Sequence, residues 1–204
     1  MDGKFYKGIP IIETKRLKLR NIRMDDMSEY YDYHTDSDLV KYYDWKPDTI
    51  SDAKADIESI LEDCQNLSRI HWAITMKDND TIIGDLGILI DTFGLKGEVN
   101  YILSKSCLGF GIMTEALNSA ISYCFSELDL IRIQALSVPD NQPSNDLLKR
   151  VGFIREGLLR KYGYNTITNN PVDLAMWSLL KCEYNNYAES KISDILYTNI
   201  ELNV

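Results

Sequence analysis

The stretch Glu98–Ala116, EVNYILSKSCLGFGIMTEA, changes its pattern twice within a short span. Polar and apolar side chains alternate from Glu98 to Tyr101 and are followed by the apolar Ile102 and Leu103, so Glu98–Leu103 is predicted to be a β-strand. From Gly111 to Leu128, apolar residues recur at spacings of three and four, which predicts a long amphipathic helix. Gly109 and Gly111 lie between the two patterns and permit a tight backbone turn. The sequence therefore predicts a strand, a glycine loop and a helix in direct succession.

The loop offers a place for an anion. The first N–H groups of a helix have no intrahelical partner and the helix dipole is positive there, so the loop can hold a phosphate. A Gly-x-Gly pair before a helix is equally compatible with a plain structural turn. The loop is not a Walker A motif, because Gly-Lys-Ser/Thr is missing, and Thr114 occupies the third glycine position of the dinucleotide-binding motif.

The elements on either side of this stretch include both strands and helices. The predicted elements are a strand Leu17–Ile22, helices Met24–His34 and Ser51–Gln65 (with Ser51 as N-cap), strands His71–Met76, Thr81–Ile90 and Glu98–Leu103, the helix Gly111–Leu128, a strand Ile131–Val138, a helix Asn141–Val151, and two strands within Phe153–Lys181. Sequential hairpins followed by helix–strand–helix exclude a doubly wound sheet. They predict an α+β fold with one mixed, mostly antiparallel sheet and helices packed on it.

Length and charge limit the function. The 204 residues fit a single domain, and the net charge of −9 argues against a protein that neutralises nucleic-acid phosphates. Between Asp25 and Asp63 stand thirteen acidic and three basic residues, so this segment carries −10 and the remainder +1. The acidic segment is either a solvated helical face or a surface for a cationic partner.

Targeting and metal-binding signals are absent from the sequence. Met1–Gly8 lacks the apolar core of a signal peptide, and no apolar run approaches the ~18 residues of a membrane span. The four cysteines are widely spaced and there are two histidines, so we predict no zinc site, no disulfide and a cytoplasmic location.

A second motif follows the strand Ile131–Val138. Pro139 lacks an N–H and cannot continue a sheet ladder, so neighbouring strands can part there. Asn141 offers both a donor and an acceptor beside such a gap, and Ser144 follows three residues later on the same helical face. Asn141 is also a good helix cap, and the two roles are compatible.

Taken together, these motifs resemble the GNAT superfamily of acyl-CoA-dependent N-acetyltransferases, in particular the ribosomal-protein N-terminal acetyltransferases of the Rim type. The matching motifs are Glu13-Thr14-Lys15-Arg16-Leu17-Lys18-Leu19-Arg20, Gly109-Phe110-Gly111-Ile112-Met113-Thr114-Glu115-Ala116, Asn141-x-x-Ser144 and Arg150-x-Gly152-Phe153-x-x-Glu156-Gly157. The resemblance spans Ile11–Tyr184 and implies one domain over residues 1–184, followed by an extension or tail at 185–204. Ser106 departs from the Arg or Gln that the family often places there.

The resemblance implies a site for acetyl-CoA in a splay between two central strands, with helices on both faces of the sheet. The backbone of Ile102 and Leu103 would pair with pantetheine, and the amides from Leu108 to Thr114 would hold the pyrophosphate. Asn141 would contact the pantetheine arm, and Asn145 or Arg150 would reach the distal end of CoA. The cofactor-binding set is thus Ile102, Leu103, Leu108, Gly109, Phe110, Gly111, Ile112, Met113, Thr114, Asn141, Asn145 and Arg150, with no metal ligand.

The implied reaction is attack of a neutral amine on a thioester in a ternary complex. An α-amine with a pKa of ~7.7–8.0 is roughly 10 % neutral at pH 7, whereas a lysine amine at ~10.4 is almost wholly charged, so an α-amine acceptor needs less help from a base. Ser144 is the candidate acid for the leaving thiolate and Glu98 the candidate base, while the Leu103 N–H would stabilise the oxyanion. A first-turn helix serine and a solvated strand-end carboxylate are the structural alternatives.

Three functions stay open at this point. The first is acetyl transfer to a protein N-terminal α-amine, and the second is transfer to a small amine such as a polyamine, amino sugar or amino acid. The third is an acyl-CoA-binding module without turnover. The expected partners are acetyl-CoA and an amine acceptor, either a cationic small molecule or a protein N-terminus, with no nucleic acid and no membrane; a homodimer is compatible with the sequence.

Overall fold

The computed structural model describes residues 9–66, 68–91, 93, 95–165 and 167–184. The strands are β1 (Ile12–Glu13), β2 (Leu17–Asn21), β3 (Arg69–Met76), β4 (Asn79–Asp91), β5 (Lys96–Leu103), β6 (Arg132–Ser137), β7 (Ile154–Asn165) and β8 (Asn170–Leu180). The α-helices are α1 (Met27–Thr35), α2 (Ser37–Val40), α3 (Ile50–Gln65), α4 (Ile112–Ser126) and α5 (Gln142–Val151), with short 3₁₀ turns at Met24–Asp26 and Lys105–Cys107.

All eight strands form one mixed sheet in the order β1-β2-β3-β4-β5-β6-β8-β7. Every neighbouring pair is antiparallel except β5 and β6, which run parallel because α4 carries the chain across between them. The predicted α+β architecture with a mostly antiparallel sheet is therefore confirmed.

Each face of the sheet buries its own core. The helices α4 and α5 cover one face, where Leu117, Phe125 and Leu148 pack with Trp72 and Trp177 of the strands. We call this the cofactor face. The helices α1 and α3 cover the opposite, acceptor face over a smaller core. Helices on both faces of the sheet were predicted. Side chains along each strand point alternately to the two faces, so both faces can carry apolar residues.

Strands β5 and β6 pair over only part of their length. Their register pairs run from Lys96↔Arg132 to Glu98↔Gln134 and stop there. Beyond that point β5 continues on β4 as far as Leu103, and β6 continues on β8 as far as Ser137. The two strands therefore diverge into a gap between two otherwise continuous half-sheets, which confirms the predicted splay.

Some boundaries differ from the predictions for local physical reasons. The helix α3 begins one residue before the predicted Ser51, because Thr49 is its N-cap and forms a capping box with Asp52. The predicted helix Met24–His34 begins as a 3₁₀ turn, and the short elements β1 and α2 were not predicted. The hairpin of β3 and β4 turns over Lys77 and Asp78 alone, since the polar residues Asn79 and Asp80 already belong to β4.

The predicted tail at 185–204 lies outside the described residues. Within the described part of the chain, no helix is both long enough and apolar enough to cross a membrane. The same residues contain no group of three or more His, Cys, Asp or Glu side chains that could hold a metal ion.

Candidate active site

The glycine loop before α4 is built to meet a ligand with its backbone. Gly109 and Gly111 adopt φ angles of +83° and +71°, in the left-handed region that L side chains rarely occupy. A Cβ added at Gly109 would meet nothing within 4 Å, so the space beside the loop is open. Leu108 and Phe110 point their side chains toward solvent.

The first turn of α4 completes this cradle. Its first intrahelical hydrogen bond runs from the Glu115 N–H to the Gly111 carbonyl, at 3.1 Å. The preceding amides of Ile112, Met113 and Thr114 therefore emerge from the helix end toward the loop. Open backbone, left-handed glycines and a helix N-terminus fit a diphosphate group such as that of CoA.

The N-terminal motif braces the loop. The Glu115 carboxylate accepts hydrogen bonds from the Thr14 hydroxyl at 2.6 Å, the Arg16 N–H at 2.9 Å and the Arg16 Nε at 2.7 Å. The same guanidinium donates through Nη1 to the Phe110 carbonyl at 2.8 Å. Burial alone would raise the pKa of Glu115, but the hydrogen bonds from Thr14 and Arg16 lower it. Arg16 thus offsets a negative charge that would otherwise oppose an anion at this helix end.

The start of α5 forms the edge of the gap on the β6 side, opposite the glycine loop that follows β5. Asn141 is its N-cap, and its Oδ1 accepts a hydrogen bond from the Ser144 N–H at 3.3 Å. This cap turns the half-buried Ser144 toward β5, where its Oγ lies 2.9 Å from the Tyr101 Oη. Sequence analysis predicted Asn141 and Ser144 but did not identify Tyr101, because alternation along a strand does not show which helix residue a side chain meets.

The backbone of β5 presents alternate residues to the gap. The Ser104 N–H bonds to the Ile83 carbonyl of β4, while the Leu95 carbonyl accepts from Ile131 just before β6. The backbone N–H and C=O groups of successive residues point to opposite sides of a strand. Tyr101 and Leu103 share the direction of Leu95, so their backbone groups point into the gap. Ile102 directs its own toward β4, and its side chain packs in the core of the acceptor face. The backbone directions therefore favour Tyr101 over Ile102 as the partner of Leu103 beside pantetheine, and these contacts stay predictions.

Asn145 and Arg150 occupy different environments. Asn145 is buried; its Oδ1 accepts from the Ser137 hydroxyl at 2.7 Å, and its Nδ2 donates to the Pro139 carbonyl at 2.9 Å. These bonds close the turn from β6 to α5, so the Asn145 side chain is held by the fold, and its contact with the distal end of CoA stays a prediction. Arg150 is exposed, and its Nη1 lies 3.4 Å from the Thr114 hydroxyl, beside the first turn of α4.

Glu98 lies at the point where the gap begins. It forms the last register pair between β5 and β6, and its Oε2 accepts a hydrogen bond of 2.8 Å from Gln134 Nε2. Side chains along a strand point alternately to the two faces of the sheet, so the Glu98 side chain points to the same acceptor face as that of Ile102. The candidate base and the Ser144–Tyr101 pair therefore stand on opposite faces of the sheet.

A loop between α2 and α3 bridges the acceptor side of the gap. The Tyr43 hydroxyl donates to the Tyr101 carbonyl on one lip, and the Tyr42 hydroxyl donates to the Asp140 carbonyl on the other, at 3.2 Å. The Lys41 carbonyl accepts from Asn165 Nδ2 of β7 at 2.9 Å. Sequence reasoning missed these residues, because three contacts distant in sequence give no local signal.

Beneath α1, the acceptor face contains a buried charged network. The Asp85 carboxylate lies 3.1 Å from the Nε2 atoms of both His34 and His71, and it accepts a hydrogen bond from the Tyr33 hydroxyl at 2.8 Å. Burial would raise the pKa of Asp85, but its contacts with the two histidines hold that pKa well below the usual range of a carboxyl. The edge of the half-exposed Trp45 ring faces His34, with centroids 6.2 Å apart.

Comparison with known proteins agrees with this geometry. The profile of the "Acetyltransferase (GNAT) domain" matches residues 16–154. "Uncharacterized N-acetyltransferase p20" of Bacillus licheniformis is 35% identical over 173 residues, which cover 84% of this chain and 96% of that protein. The "[Ribosomal protein uS5]-alanine N-acetyltransferase" of Escherichia coli is 39% identical over 64 residues, or 31% of this chain and 33% of the enzyme.

Among solved structures, RimL, a ribosomal L7/L12 alpha-N-protein acetyltransferase in complex with coenzyme A, superposes with a TM-score of 0.76. Its sequence is 20% identical, and the match covers 84% of this chain and 98% of that one. At this identity the likeness shows a shared fold.

Proposed function

The chain belongs to the GNAT family of acetyltransferases and is an acetyl-CoA-dependent N-acetyltransferase, and we propose that its acceptor is the N-terminal α-amine of a protein. The observation that carries this proposal is the gap between β5 and β6, which has an anion cradle on the cofactor face and an acidic helical layer on the acceptor face. The amine would attack the thioester directly while both substrates are bound.

The cofactor face supplies the residues that would hold acetyl-CoA. The amides from Leu108 to Thr114 would bind the pyrophosphate, with Arg150 beside them, and Asn141 would contact the pantetheine arm. Acetyl-CoA supplies an activated thioester carbonyl. The Leu103 N–H, directed into the gap, would donate to the oxygen of that carbonyl as negative charge develops on it.

Acid and base would act from opposite faces. Ser144, on the cofactor face, would give a proton to the leaving sulfur, and Glu98, on the acceptor face, would take one from the amine directly or through water. This separation suits direct transfer, because the amine would approach the carbonyl from the acceptor face while the thiolate leaves toward Ser144 on the cofactor face.

An α-amine is favoured over a lysine amine by its lower pKa, which leaves about a tenth of it neutral at pH 7. The E. coli relative is named for an alanine of a ribosomal protein, which is the same class of acceptor. A cytoplasmic site of action and a homodimer belong to this proposal. Small amines, including polyamines, amino sugars and amino acids, form the second candidate class.

The acidic segment supports a cationic acceptor, although part of its charge serves the fold. Asp26 forms an ion pair with Arg20 at 2.6 Å, Asp52 caps α3, and Asp56 accepts from Tyr30. The net −10 of residues 25–63 nevertheless belongs to the segment whose helices cover the acceptor face, and it would attract an approaching amine.

The test is thiol release from acetyl-CoA across a matched panel of acceptors. The panel pairs N-terminal peptides with the same peptides bearing a blocked α-amine, and adds free polyamines, amino sugars and amino acids. Release with free but not with blocked peptides is expected. Turnover with small amines and none with any peptide would exclude the protein N-terminus as acceptor.

Variants of the site assign the individual roles. Ser144→Ala and Glu98→Gln should lower kcat by about 10-fold or more with little change in the KM for acetyl-CoA, because each acts on a proton in the transition state. Asn141→Ala should raise that KM instead. Unchanged turnover in Ser144→Ala or in Glu98→Gln would remove that residue from the chemistry, and an unchanged KM in Asn141→Ala would remove it from the cofactor site.

A further inference from the structure

Tyr101 and Ser144 form a hydroxyl pair at the cofactor lip of the gap, with their oxygen atoms 2.9 Å apart. We propose that Tyr101 is a positioning residue for the proton that Ser144 delivers, so that the Tyr101–Ser144 pair, and not Ser144 alone, protonates the leaving thiolate. This inference rests on the proposed function and adds to it a residue that the sequence motifs do not contain.

The proposed relay requires one direction of a hydrogen bond in which either hydroxyl can donate. Because the two hydroxyls share this one bond, the serine proton is free for the sulfur when the tyrosine donates to the serine oxygen. Burial raises the pKa of Tyr101 to about 12, against a smaller lowering by Ser144, so the phenol keeps its proton at neutral pH and is available as that donor. A serine acting alone would be left with an alkoxide after the transfer.

The proton transfers balance along the pair. As the C–S bond breaks and its electron pair stays on sulfur, Ser144 gives its proton to that sulfur and takes one from the Tyr101 phenol. Glu98 releases to solvent the proton that it takes from the acceptor nitrogen, and Tyr101 regains one proton from solvent. The net products are an amide and a thiol, and neither residue is changed.

The fold holds Tyr101 in place for this role. The Tyr101 backbone carbonyl accepts a hydrogen bond from the Tyr43 hydroxyl, and Tyr101 is paired with Leu86 in the β4–β5 ladder. Its ring packs against the core of the cofactor face, which limits rotation away from Ser144. A preorganised donor loses little conformational freedom when the reaction occurs.

The first test is a double-mutant cycle of Tyr101→Phe and Ser144→Ala. Tyr101→Phe keeps the ring and removes the donor, and it should lower kcat about tenfold while the KM for acetyl-CoA stays within about twofold. In the Ser144→Ala background the same change should cost less than about twofold, because Tyr101 acts only through Ser144. Tyr123→Phe is the matched control, since Tyr123 packs edge-on against Trp72 in the same core.

The second test measures binding without turnover. The affinity for CoA relative to desulfo-CoA is titrated from pH 7 to 9.5 by calorimetry. A hydroxyl that donates to the thiolate lowers the pKa of the bound thiol below its free value of ~8.5, so the relative affinity should rise with pH. We expect a gain of several-fold in the native protein and in Tyr123→Phe, and loss of most of it in Tyr101→Phe.

The outcomes separate this inference from the proposed function. Equal losses from Tyr101→Phe in the native and Ser144→Ala backgrounds would show a purely structural role and overturn the relay. A loss in Ser144→Ala with none in Tyr101→Phe would overturn it while leaving Ser144 as the acid. No acetyl transfer to any amine by the native protein would overturn the proposed function and the relay together.

Discussion

The cofactor face and the acceptor face meet the same gap with different kinds of groups. On the cofactor face, the cradle consists of backbone amides held by left-handed glycines, and the Glu115 carboxylate in the first turn of α4 is paired with Arg16. On the acceptor face, a buried carboxylate, Asp85, is held among two histidines and a tyrosine under an acidic helical layer.

This difference reflects what each face must bind. A diphosphate has the same shape in every catalytic cycle, so backbone groups at a helix end can hold it regardless of most side chains. An amine acceptor varies from enzyme to enzyme, and its recognition falls to side chains whose positions depend on distant contacts. The comparison predicts that variants of the acceptor face change stability and acceptor choice, while variants of the loop change the KM for acetyl-CoA.

The largest expected effect is the loss of the Asp85 charge. Asp85→Asn leaves His34, His71 and Tyr33 around a neutral amide in the interior, and should lower the free energy of unfolding by about 3–5 kcal/mol in urea titrations. The control is Asp48→Asn, because Asp48 is largely exposed and contacts only the side chain of Lys46 among the ion pairs of the described residues. Equal stability of the two variants would contradict a stabilising role for this network.

The Asp85 network also predicts a pH signature. The pKa of the Asp85 carboxyl in the folded protein lies below the ~3.9 of an unfolded aspartate. The stability that this carboxylate contributes is therefore fully present above about pH 3.9 and is lost as the pH falls from there toward the folded-state pKa. Between pH 5 and pH 3 the native protein should therefore lose more stability than Asp85→Asn. Parallel stability curves for the two proteins would assign the acid sensitivity to other carboxyls.

The next effect lies in the glycine loop. Gly111→Ala forces a side chain into φ +71°, at a cost of roughly 1–2 kcal/mol, and should raise the KM for acetyl-CoA about tenfold with a smaller change in kcat. Gly157→Ala, at a strand position without a positive φ where a Cβ would meet nothing within 4 Å, is the control. A KM that changes equally in both variants would show that the loop conformation does not set cofactor affinity.

The smallest effect concerns the acidic segment. Raising the salt concentration from 0.05 to 0.5 M should lower kcat/KM by about threefold for an N-terminal peptide with lysine at its second position, since the Debye length shrinks below the span of the face. The matched peptide with glutamate should show no such loss. Equal salt dependence of the two peptides would mean that the acidic layer only solvates the helices.

Local patterns predicted the parts of the site that depend on local physics. The glycine loop, the long helix behind it and the Asn141 cap were all predicted, because turns, helix periodicity and caps involve residues within a few positions of each other. The surroundings of Asn145 and the direction of the Ile102 backbone were not predicted, because the partner of a buried amide and the side of a strand to which an N–H points depend on neighbouring elements.

By itself, the sequence determined the order of the elements, the anion cradle and the segregation of negative charge into one segment. The tertiary structure alone decided that Tyr101 meets Ser144, that Arg16 braces the loop, and that both histidines converge on Asp85. The reason is that these contacts join residues tens of positions apart, and only the packing of both helical layers on one sheet brings them within hydrogen-bonding distance.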